Sequence, residues 1–159
     1  MKKFFISVFV VAMSVITFSC ESDSNDDDGN GSNEANLTVT IDGQQITFNS
    51  LIVETYSYDG FEEHSITATI NNGTDRIITF YVYGGDLGAD GLEDFDYTFN
   101  GFDYYQYGCQ NTFDFTSIVT VNNGSRIEAN FSGTLCGWDN ATQQEVQVVL
   151  TNGTLVVDF

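Results

Sequence analysis

This chain contains no proline and marks its own breaks with asparagine–glycine and aspartate–glycine pairs. Beyond residue 35 there are seven: Asp42-Gly43, Asp59-Gly60, Asn72-Gly73, Asp90-Gly91, Asn100-Gly101, Asn123-Gly124 and Asn152-Gly153. Such pairs enter positive φ at little cost and suit the two-residue turns whose twist matches antiparallel strands. Between them, apolar residues recur at every second position. Ile127, Ala129, Phe131 and Leu135 fall on one side of a segment whose other side is Arg126, Glu128, Asn130, Ser132 and Thr134. A period of two is a strand with one wet face. The same alternation marks Leu37-Val39-Ile41, Ile66-Ala68-Ile70, Phe113-Phe115 with Val119-Val121, Val146-Val148-Leu150 and Leu155-Val157-Phe159. Ile77 to Tyr83 is apolar on both faces, which predicts a central strand. Between Phe48 and Leu51 the alternation slips phase, which predicts a bulge or bend near Asn49-Ser50. The expected fold is all-β: an antiparallel β-sandwich of about ten strands over residues 36–159, with a lipocalin-like β-barrel as the alternative.

The first twenty residues are of another kind. MKKFFISVFVVAMSVITFSC places Lys2 and Lys3 before an apolar run too short to span a bilayer, the layout of a signal peptide over residues 1–19. Directly after it comes ESDSNDDDGNGSNE, acidic and almost free of apolar side chains. The ending ITFSC resembles a bacterial lipobox, with Phe18 standing where the commonest pattern has a small residue. Together with the acids that follow, it resembles surface lipoproteins of the Bacteroidetes type. SGTL and VVLTNGTLVVDF likewise resemble the closing hairpin of small β-rich lipoproteins of that group. The resemblance implies a lipidated (palmitate-bearing) Cys20, attachment to the outer membrane and display toward the cell exterior. Residues 20–35 cannot bury enough surface to offset their ordering entropy, so they are expected to be a disordered tether.

Charge narrows the partners. The chain carries 23 acids against 4 basic residues, and beyond Lys3 the only cations are Arg76 and Arg126. A surface this negative repels phosphate backbones, so no nucleic-acid partner is expected. With Cys20 lipidated, Cys109 and Cys136 remain as an even pair in an oxidising setting and are expected to form a disulfide. Catalysis then has little to work with: one histidine, His64, expected at the surface, and scattered carboxylates with no distinguishing spacing. No enzyme activity is expected.

Two segments stand out as candidate sites. GGDLGADGLEDFD, residues 84–96, gathers Asp86, Asp90, Glu93, Asp94 and Asp96 among glycines. It is either a calcium loop or a solvated acidic loop; measured against an EF-hand it lacks the final bidentate acid, because Tyr97 stands there. FDYTFNGFDYYQYG, residues 95–108, is an aromatic hairpin around Asn100-Gly101. Alternation divides its rings between core and water, and rings beside Asp103, Asn100 and Gln106 suit a glycan or a protein partner. Tyr97, Tyr104, Tyr105 and Tyr107 are its candidate ligand-binding residues, with Trp138, two residues after Cys136, as packing or platform. The expected function is a non-catalytic binding domain for polysaccharide or an envelope protein, held on a lipid anchor. A structural, accessory role in the envelope is the alternative.

Overall fold

A computed structural model describes residues 35–110 and 114–159, which fall in one unit, Ser32–Phe159. The signal segment, Cys20, the tether up to residue 34, and Phe113 lie outside the described residues. Among those described there are eleven strands and no helix. They are β1 (Ala35–Ile41), β2 (Gln44–Phe48), β3 (Ser50–Tyr58), β4 (Phe61–Thr69), β5 (Arg76–Tyr83), β6 (Gly88–Ala89), β7 (Glu93–Phe99), β8 (Phe102–Tyr105), β9 (Phe115–Asn122), β10 (Arg126–Asp139) and β11 (Gln144–Asp158). All pair antiparallel, as the alternation predicts. Nine lie on one path, β2-β1-β11-β10-β8-β7-β5-β4-β3, and β9 branches from β10 carrying β6. The result is a curled sheet between a sandwich and a half-barrel.

Three of the seven glycine pairs make the expected tight hairpins. Asp42-Gly43, Asp59-Gly60 and Asn100-Gly101 have positive φ at both residues and join β1 to β2, β3 to β4 and β7 to β8. Asn152-Gly153 does not turn, a correction to the reading above. It lies inside β11, beside the register shifts that β11 shows against β10 and β1. A Cβ at Gly153 would overlap the Phe131 ring, so this glycine makes room for a core aromatic where the longest strand bends. The predicted break after Phe48 is present. Asn49 separates β2 from β3, the two ends of the sheet path, and exchanges hydrogen bonds with Asn71 through its side chain. The curl thus brings both sheet edges together at one residue.

One face of the curl is the core. Its centre is Phe95, whose ring lies 5.3 Å from Phe80, 4.9 Å from Phe115 and 4.8 Å from Phe131. Leu37, Val39, Ile66, Ile78, Ile127, Leu135, Leu150 and Leu155 surround it, all buried. His64 belongs here and not at the surface: it is buried, accepts or donates to Thr55 Oγ1 at 3.0 Å through Nδ1, and packs on Phe159. Strand parity explains the change, since His64 shares a face with Ile66 and Ala68. Burial holds its pKa below the ordinary histidine range.

β10 is the junction of the sheet. Ile127 to Gly133 pairs with β9, whereas β8 pairs with β10 only at Tyr105 opposite Cys136. The expected Cys109–Cys136 disulfide closes this point, with 4.9 Å between its Cα atoms. Two glycines let the chains approach there. A Cβ at Gly108 would overlap the Cys136 carbonyl, and one at Gly137 the Asp103 carbonyl. A narrow seam, stapled covalently, joins the two halves of the sheet.

Candidate functional site

The hairpin of β7 and β8 sorts the aromatic band by face. Its two-residue turn sets Phe99 opposite Phe102 and Tyr97 opposite Tyr104, with Tyr97, Phe99 and Tyr104 against the core. Tyr97 is 2% exposed and stacks between Phe99 and Tyr104, so the expected ligand role for Tyr97 is corrected: it is a core residue. Tyr104 packs against the core and is half-buried. On the outer side Asp96 lies opposite Tyr105, and Thr98 opposite Asp103, whose carboxylate accepts from the Thr98 hydroxyl at 2.7 Å.

Past Tyr105 the chain presents its rings by burying what lies between them. Gln106, expected beside exposed rings, is itself only 5% exposed. Its side-chain oxygen accepts from Phe95 N at 2.9 Å, and its own N donates to Phe95 O at 2.9 Å. With Gln106 drawn inward, Tyr105 and Tyr107 are turned out, at 45% and 59% exposure. The next residues are fixed as well: Cys109 is bonded to Cys136, and Gln110 N donates to Glu145 at 2.8 Å. Trp138 follows Cys136 on the same face and is 46% exposed, a platform more than a packing residue.

Two adjoining depressions share Tyr105. One, of about 480 Å³, is lined by Tyr81, Asp94, Asp96, Tyr105, Tyr107 and Gly108. The other, of about 520 Å³, includes Phe102, Asp103, Tyr105, Trp138 and Asp139. The candidate ligand residues Tyr105, Tyr107 and Trp138 are therefore brought together. Tyr81 joins them and was missed in the sequence, where an apolar run on both faces of β5 hid its exposed outer side. Farther along the same outer face Tyr83 lies opposite Glu63, itself opposite Tyr56, which stacks on Tyr58. Rings alternate with acids across the face. A larger cavity of about 700 Å³, also unforeseen, lies at the β3–β4 turn between Ser57, Phe61, Glu62, Tyr83 and Asp86.

The five acids of the 84–96 loop are divided between these places. Asp86 lines the β3–β4 cavity, Asp94 and Asp96 line the aromatic groove, and Glu93 hydrogen-bonds Tyr107. Asp90 N donates to Ser117 O across the β6–β9 contact. Among the described residues no three His, Cys, Asp or Glu side chains are placed to hold a metal ion.

Electrostatics mark Asp96. Partial burial, then the neighbouring Asp94 and Asp103, raise its pKa to about 6. Burial and nearby Asp103 also raise the Tyr105 phenol, and burial with Glu93 and Asp94 raises Tyr107, so both remain hydroxyl donors at neutral pH. For Asp96 the folded pKa lies above the unfolded one. The folded state thus holds an extra proton between the two, and stability falls as pH rises toward 6. Asp96→Asn should flatten this part of the pH–stability curve and gain roughly 1 kcal/mol at pH 7, after discounting for solvent screening. Urea unfolding at a series of pH values reads it; an unchanged slope contradicts it.

No protein-family model and no curated protein matches this chain.

Proposed function

We propose that this protein is a non-catalytic glycan-binding domain, held by a lipid on Cys20 to the outer membrane and facing the cell exterior. The observation that carries the reading is the outer face on which Tyr81, Tyr105, Tyr107 and Trp138 line two connected depressions. A sugar ring offers an apolar face to stack and hydroxyls to bond. Exposed rings with adjacent carboxylates supply both kinds of contact. Open grooves side by side suit a chain of sugars more than a single small molecule.

Affinity electrophoresis of the domain from residue 36 onward, in gels carrying different soluble polysaccharides, tests this. Retardation is expected in at least one gel, and Trp138→Ala or Tyr105→Ala should each weaken it about tenfold with unfolding unchanged. Retardation abolished by a chelator would add calcium to the site. No retardation in any gel would shift the reading to an envelope protein as partner.

A further inference from the structure

We propose that the glycan recognised by this face is an amino-sugar polymer, its rings stacked on Trp138, Tyr105 and Tyr81 and its ammonium groups received by Asp103, Asp139 and Asp96. This rests on the glycan-binding reading and gives it a substrate class.

Among the described residues no arginine or lysine lines the groove beside these carboxylates. Beyond Lys3 the chain contains only Arg76 and Arg126. Arg76 sits over the Phe99 ring at 4.5 Å, and Arg126 is bonded to Glu128 and Asp158. Neither lines the groove. Asp94 and Asp96 lie in one depression, Asp103 and Asp139 in the next, with Tyr105 between them. A uronic acid or sulfated chain would be repelled along this whole length. A neutral chain would stack, but would leave Asp96 beside Asp94 and Asp103 with nothing to offset their repulsion.

Monovalent cations suit these carboxylates better than one divalent ion. Calcium needs six to eight oxygens converging on one point, and among the described residues no three acids are so placed. Carboxylates beside exposed rings in each depression suit an ammonium on successive sugars, each able to use the aromatic face as well. Asp96, pushed up to about 6 by burial and by Asp94 and Asp103, is the carboxyl whose cost such a cation most directly relieves.

The full chain should be titrated with glucosamine, N-acetylglucosamine and glucose oligomers of equal length, following Trp138 fluorescence at low salt. The glucosamine series is expected to bind about tenfold more tightly than the other two, with the preference lost at high salt. Asp96→Asn and Asp103→Asn together should bring the series near parity. Equal affinity for all three oligomers would overturn the amino-sugar assignment and leave glycan binding standing. No binding of any oligomer would remove both. A lysine homopeptide bound more tightly than the glucosamine oligomer would also overturn the assignment, in favour of a basic protein segment.

Discussion

Replacing Phe95 by alanine should cost the domain about 3–5 kcal/mol, the largest loss expected from any single side chain here. The ring is fully buried and touches Phe80, Phe115 and Phe131, which come from β5, β9 and β10. It therefore ties the main sheet path to the β9 branch. No neighbour can collapse into the space without leaving its own strand, so the cavity term adds to the lost transfer energy. With total stabilities of about 5–15 kcal/mol typical of such domains, at least about a fifth would go. The melting temperature should fall by roughly 10–20 °C. Phe95→Leu keeps most of the volume and should cost about 1–2 kcal/mol. Urea unfolding of the two variants decides the matter. A Phe95→Ala loss near that of the leucine variant would mean the aromatic cluster is not the keystone of this core.

The second large effect is the disulfide. Its cysteines are 27 residues apart, and in the chain-entropy model opening that loop costs roughly 3–4 kcal/mol. The location adds a consequence that loop entropy alone does not contain. β8 and β10 meet at one residue pair, Tyr105 opposite Cys136, so the bond holds the seam on which Tyr105, Tyr107 and Trp138 are displayed. The Cys109→Ser, Cys136→Ser double variant should therefore unfold roughly 10–15 °C earlier. Below its transition it should also lose glycan retardation. A variant that melts early yet binds normally would show that the groove is built by the strands alone.

The fold was largely legible because period two and glycine-paired turns are local signals. Leu37-Val39-Ile41 and Ile127-Ala129-Phe131 reached the core as read. Asn152-Gly153 misled because the same pair that makes a turn also makes a bulge, and only the register of three strands together distinguishes them. His64 shares the parity of Ile66 and Ala68, while the acids Glu62 and Glu63 directly before it carry the opposite, solvent-facing signal. Tyr97 was a similar case. The Asn100-Gly101 turn already puts it opposite Tyr104, and the polar set Asp96, Thr98, Asp103 already names the wet face. Tyr81 and the inward Gln106 were not legible. Tyr81 lies in a run apolar on both faces, and Gln106 is drawn inward by two hydrogen bonds to Phe95 on β7, which no local pattern encodes.

Trp138 is the sole tryptophan of the chain, and it stands in the groove. Its emission therefore reports the proposed site and no other. Titration with a polysaccharide that retards the protein in gels should give a saturable shift or quench of that emission, moved to about tenfold higher concentration in Tyr105→Ala. A polysaccharide that binds the protein and leaves Trp138 emission unchanged would place recognition elsewhere, and the account of the outer aromatic face would fail.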